Sequence, residues 1–131
     1  MTTSLNAEQL KKIESYGESK RLKYLLEQAI NHNELWILTD EHGCMMLNTE
    51  DEDCVPVWPN KEFAQTWING DWQNCQAQAI DLKTWFSRWT NGLLDDELSI
   101  VAFPNQQQEG LILFADEFEF ELKQQQKKSR Q

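Results

Sequence analysis

Histidine, cysteine, glycine and proline are all scarce here, with two, three, five and three copies among 131 residues. Cys44, Cys54 and Cys75 are an odd number and form no C-x-x-C pair, which excludes a disulfide framework and a zinc ribbon and fits reduced thiols. No metal ligand set is therefore assigned. Glycine and proline are too few for a collagenous or low-complexity chain. No apolar run approaches the roughly 18 residues of a membrane span. The first residues, Met1-Thr2-Thr3-Ser4-Leu5-Asn6, lack the basic and apolar regions of a secretory leader, so a cytoplasmic location is expected. Also missing are G-x-G-x-x-G, G-K-[ST] and G-x-S-x-G, which leaves phosphate-cradling loops and a hydrolase nucleophile elbow without support.

Positive charge is the next shortage. Twelve Lys and Arg face 22 Asp and Glu, for a formal charge of −10. Such a field repels phosphate backbones and anionic headgroups, so neither nucleic acid nor a membrane surface is expected as a partner. Residues 34–54 carry seven acidic side chains and no Lys or Arg, whereas 123–131 carry four basic ones. An acidic surface favours a basic protein partner and speeds its encounter.

What is present describes a globular chain: 40% hydrophobic, 26% charged and 11% aromatic residues. The length suits a single domain over 1–131, at roughly 100 to 200 residues per domain. Asn6 and Gln9 make a capping-box pattern ahead of a short helix with Leu10 and Ile13 inward, ended by Gly17. Ser19 then caps a second helix with Leu22, Leu25, Leu26, Ala29 and Ile30 on its apolar face and Arg21, Lys23, Glu27 and Gln28 toward solvent. Leu35-Trp36-Ile37-Leu38 and Cys44-Met45-Met46-Leu47 read as a hairpin around Thr39 to Gly43. Cys54 to Trp58 is a third strand, placed at an edge or a bulge because Pro56 lacks a ladder donor. Asn60 caps a helix carrying Phe63, Ala64, Trp67 and Ile68, which ends at Asn69-Gly70.

Ala77 to Ile80 is a strand, and Asp81 caps a helix with Leu82, Trp85, Phe86 and Trp89 inward that Asn91-Gly92 stops. Residues 99–103 and 110–114 form a second hairpin. Asp116 and Glu119 repeat the capping pattern before a helix over 118–126, which the alternation of Phe118 to Leu122 would also allow as a strand; a frayed tail occupies about 124–131. The sum is an α+β fold: a small mixed or antiparallel sheet of about five to six short strands, packed against helices, with two N-terminal helices.

The strongest oddity is six tryptophans. Trp36, Trp67, Trp85 and Trp89 read as core. Trp58, at a strand-to-turn junction before Pro59, and Trp72, in a polar stretch after Gly70, are candidates for a half-exposed interface anchor. Beside them the run Glu50-Asp51-Glu52-Asp53 is a solvated acidic loop without calcium-binding spacing. Trp58, Pro59, Trp72, Glu50, Asp51, Glu52 and Asp53 are the candidate contact residues. No catalytic or cofactor-binding residue is assigned, and no cofactor is implied. His32 sits at a helix end with no nucleophile beside it. The reading is a non-enzymatic interaction or regulatory module; the alternative is a small-molecule-binding protein, or an enzyme without a local signature, using a Trp-lined pocket near Trp58, Trp72 and Cys75.

The order Leu35-Trp36-Ile37-Leu38, Val55-Pro56-Val57-Trp58-Pro59-Asn60-Lys61-Glu62-Phe63-Ala64, Trp72, Ile80-Asp81-Leu82, Trp85, Trp89 through Gly92-Leu93, and Val101-Ala102-Phe103-Pro104 resembles the bacterial domain-of-unknown-function family 2750, from about Arg21 to Leu122. The resemblance implies a small intracellular bacterial protein of α+β type. It implies no activity, catalytic residue or cofactor.

Overall fold

A computed structural model describes residues 7–41, 43–44, 46–48, 53–68, 73–104 and 110–129. Two antiparallel pairings organise the first half of the sheet: strand β1 (Glu34–Asp40) pairs with β2 (Gly43–Cys44) on one side and, along nearly its whole length, with β5 (Gln76–Asp81) on the other. A second sheet has the order β3 (Leu47–Asn48), β4 (Asp53–Val57), β6 (Ser99–Ala102) and β7 (Leu111–Phe114). Its β4–β6 pair is parallel and the others antiparallel. A single bridge joins the two sheets: Trp36 and Trp58 exchange backbone hydrogen bonds of 3.0 and 2.9 Å. Five main strands thus run β7-β6-β4-β1-β5, a mixed sheet, one of the two kinds the sequence allowed, and β2 and β3 are two-residue additions. The hairpin strand expected over Cys44 to Leu47 is divided, Cys44 pairing with β1 and Leu47 with β4.

Helices α1 (Ala7–Glu14) and α2 (Glu18–His32) precede the sheet. Gly17, in extended geometry at φ −64° and ψ 164°, is the N-cap of α2, in place of the expected Ser19. Asn33 ends it in the left-handed region at φ 58°, its N–H donating to Ala29. Arg21, expected in solvent, is buried. Its Nε donates to the Phe103 carbonyl at 3.1 Å and its Nη1 donates to the Tyr16 carbonyl. Helical periodicity put this side chain outside because a guanidinium reads as polar; its donors instead satisfy two carbonyls at chain corners, which is what a buried charge requires. The second corner is strained: buried Phe103 has φ 47°, held by its N–H to Val57 at 2.8 Å and by Arg21.

Pro56 does not lie at a sheet edge, since β4 runs between β3 and β6. Backbone polar groups alternate sides along a strand. Trp58 faces Trp36, so Pro56 faces that same side, where β3 pairs only with Asp53 and Cys54 and asks for no donor.

After helix α3 (Lys61–Gln65) and β5, the chain forms one helical rod of three stretches: α4 (Leu82–Thr84), a π-helical turn (Trp85–Trp89) and α5 (Thr90–Asp95). Asp81 caps it as expected, Oδ1 accepting from the Thr84 N–H at 2.7 Å. That bond holds the Asp81 carboxyl below its ordinary range. The rod does not stop at Gly92. It runs on to a Schellman stop, with Leu98 N–H donating to the Leu93 carbonyl and Glu97 N–H to that of Leu94, and Glu97 at φ 57° fills the position glycine usually takes.

Helix α6 (Ala115–Ser129) packs on α2 and α5, so the expected frayed tail is helical through Ser129. Its entry is also not the expected Asp116–Glu119 pair. Glu117 accepts from the Phe114 N–H at 3.0 Å, while Glu119 lies 3.7 Å from Lys123 one turn on.

The core lies between the helices and the Val55, Val57, Ile100 and Ala102 face of the sheet. Trp85 is fully buried, its ring edge-on to Phe118 at 5.9 Å and stacked on Trp89 at 5.3 Å. Trp89 and Phe86, both expected inward, are only half-buried, because one helix face cannot bury Leu82, Trp85, Phe86 and Trp89 together. Trp85→Ala is expected to cost about 3 to 5 kcal/mol in urea unfolding, as large core truncations do, and Trp89→Ala about 1 to 2 kcal/mol. Equal losses at both positions would contradict this packing. Gly92 sits inside α5 with open space where a Cβ would stand, so Gly92→Ala is expected to stabilise the protein by about 1 kcal/mol; a lower urea midpoint would count against the helical extension to Asp95.

Candidate functional site

The residues singled out in the sequence separate in space. Trp58 and Pro59 are buried, Trp58 completely, with its ring 5.4 Å from that of Trp67. This corrects the expectation of a half-exposed Trp58: the strand bridge to Trp36 falls at this residue, and its ring lies inside the molecule. Asp53 is exposed at the start of β4. Glu50, Asp51, Glu52 and Trp72 lie outside the described residues. Cys75 is half-buried beside β5, with burial first and the Asp40 carboxylate second pushing its thiol up.

Other apolar side chains are exposed in its place: Phe114 and Phe120 at 59% each, Ile112 at 47% and Leu94 at 42%. In β7 the residues alternate, so Leu111 and Leu113 are half-buried while Ile112 and Phe114 point out. The strand register fixes what surrounds them. Phe114 pairs with Ser99, and Ser99 with Cys54. The start of β4, the start of β6 and the end of β7 therefore form one end of the sheet. The chain enters β6 through Asp95, Asp96 and Glu97 and leaves β7 into Asp116 and Glu117. With Asp53, these six carboxyl-bearing residues are all exposed at that end. Phe120 lies four residues beyond Asp116 and three beyond Glu117, on the same face of α6, while Ala115, Phe118 and Leu122 cover the core.

The apolar Leu111-Ile112-Leu113-Phe114 run concealed this surface, since four consecutive apolar residues read as a strand buried on both faces. The signal was its position as the last strand: an edge strand with no charged residue and no proline lacks the usual protection.

Two grooves flank α6. One of about 450 Å³ is lined by Asn33, Leu82, Lys83, Phe86, Lys123, Gln126 and Lys127. The other, of about 340 Å³, follows the seam with α2 between Leu22 and Gln124. Among the described residues no three His, Cys, Asp or Glu side chains stand close enough to hold a metal ion, and no helix is long and apolar enough to cross a membrane.

A mixed sheet covered by helices, with an acidic end and no assembled catalytic group among the described residues, defines an α+β domain without a visible reaction centre. The chain belongs to the family described as Protein of unknown function (DUF2750), whose model matches residues 22–122. The match spans every strand among the described residues and omits α1, the start of α2 through Arg21 and the last two turns of α6. No curated protein and no solved structure matches the chain.

With its thiol pushed up, Cys75 is expected to react with a disulfide reagent at pH 8 more slowly than a free cysteine of pKa about 8.5. The rate should climb as pH rises beyond that value, and Asp40→Asn should raise it. Stopped-flow kinetics on a Cys44→Ser background measure this; a rate at pH 8 above that of free cysteine would overturn the direction of the shift.

Proposed function

We propose that this is a non-enzymatic interaction module of the bacterial cytoplasm that receives a basic protein partner on the acidic end of its sheet. The observation that carries the reading is the highly exposed Phe114 at the sheet end where Asp53, Asp95, Asp96, Glu97, Asp116 and Glu117 are also exposed, with a second exposed ring, Phe120, further along α6. Large exposed apolar groups rimmed by charge are characteristic of association sites, where the ring is desolvated in the complex and the rim selects the partner. The carboxylates would act at long range, raising the encounter rate and repelling anionic competitors. The rings would act after contact, setting how long the complex lives. The bacterial setting rests on the family resemblance, and the cytoplasmic one also on an odd number of cysteines with no C-x-x-C pair.

The test is kinetic. In a bacterial lysate, immobilised protein should capture a basic protein at low salt and release it as salt rises. Against that captured partner, Asp53→Asn, Asp95→Asn and Asp96→Asn together should slow association by about tenfold. Phe114→Ser with Phe120→Ser should instead speed dissociation. Both variants replace exposed groups, so unfolding free energies should change by under about 1 kcal/mol. Unchanged rates in both variants at wild-type stability would remove this face from consideration.

A further inference from the structure

The groove between α6 and the α4–π rod has a composition opposite to that of the rest of the molecule. In a chain of net charge −10, Lys83, Lys123 and Lys127 line one cavity of about 450 Å³. They come from two elements, so the cluster exists only in the folded chain. Lys123 lies 3.7 Å from Glu119 and 5.3 Å above the Phe86 ring. Among the described residues neither Lys83 nor Lys127 has a carboxylate within salt-bridge distance. Glu34 and Asp81, cross-strand partners beside Asn33 and Leu82, are further acids nearby, and the Asp81 carboxylate is bonded to the Thr84 N–H at the start of α4. Two ammonium groups thus remain for an external anion.

The remaining lining is apolar and amide. Leu82 is buried at the groove floor, and Phe86, in the π-helical turn, is half-buried there. Such π turns recur at functional sites; Trp85 lies in the core while the next residue, Phe86, lines the groove. Asn33 and Gln126 add side-chain amides able to donate or accept. The volume falls within the range of small-molecule sites, and an apolar floor with a few polar groups is their usual chemistry.

We propose that this groove binds a small organic anion with a flat ring, of the aryl phosphate class. Its phosphate lies between Lys83 and Lys127, with Lys123 beside it, and its ring rests against Leu82 and Phe86. Lysine ammoniums bind phosphate as point charges, so the charge of the anion is read rather than its geometry. The site is independent of the acidic sheet end, and its test uses no protein partner.

The experiment is an amide NMR titration of the full chain with phenyl phosphate at low salt, with inorganic phosphate and benzyl alcohol as comparison probes. Saturable shifts are expected at Lys83, Phe86, Lys123, Gln126 and Lys127, with phenyl phosphate binding at least about tenfold tighter than either probe. The double variant Lys83→Gln and Lys127→Gln replaces two exposed side chains, so it should fold as wild type and bind at least about fivefold more weakly. Phe86→Leu should weaken phenyl phosphate and leave inorganic phosphate unchanged. Three results would each overturn the proposal: no saturable shift up to about 10 mM, equal binding of phenyl and inorganic phosphate, or wild-type affinity in the double lysine variant.

Discussion

The reciprocal backbone hydrogen bonds between Trp36 and Trp58 are the constraint on which the rest of the molecule depends. β1 is otherwise paired only within its own three strands and β4 only within its own four, so without this contact two short sheets would meet at raw edges. The next carbonyl back along β4, that of Val57, accepts from Phe103 on the opposite side. The last turn of β4 is thus held from both flanks, which is why it can carry Pro56 and still sit inside the sheet. The same contact sends the Trp58 ring against Trp67 and removes it from the surface.

A second tie works through one charged group. Arg21 joins the end of α1, the start of α2 and the strained corner at Phe103, all through backbone carbonyls. A guanidinium buried in this way is costly to desolvate, and only its several fixed donors make the position tenable. It anchors the helical layer over the parallel β4–β6 pair, while Tyr24, Phe63 and Phe103 fill the space beside it with rings 4.6 to 6.2 Å apart.

Helix α6 separates the charges of the surface. Asp116 and Glu117 occupy its first turn and Lys127 and Lys128 its last, the arrangement its backbone dipole favours. The consequence goes beyond helix stability. The acidic end of α6 stands beside the exposed Phe114 at the sheet end, and its basic end closes a groove over Phe86. One helix therefore carries carboxylates at one end and ammonium groups at the other. Screening at physiological salt acts over about 8 Å, less than the length of this helix, so the two charged ends are screened from one another.

Periodicity and turn chemistry in the sequence determined the two N-terminal helices, the turn between β1 and β2, the β6–β7 hairpin, the Asp81 cap and the final helix, because each rests on contacts between residues near in the chain, whereas the choice between a mixed and an antiparallel sheet waited on the long-range β4–β6 pair. The net acidity and the burial of Trp85 were legible in the same way. Tertiary structure decided what depends on distant partners. Arg21 is inside because Phe103, 82 positions away, offers its carbonyl. Pro56 is interior because β3 ends before reaching it, and Gly92 is helical because Leu98 bonds back to Leu93. The candidate surface followed the same rule. Trp58 looked available to a partner until Trp36 paired with it, and the strand over 110–114, whose run of apolar residues marks no face, leaves Ile112 and Phe114 in solvent because nothing covers that side of it. An isolated segment states how polar a side chain is, but the strand order decides which of its faces meets water.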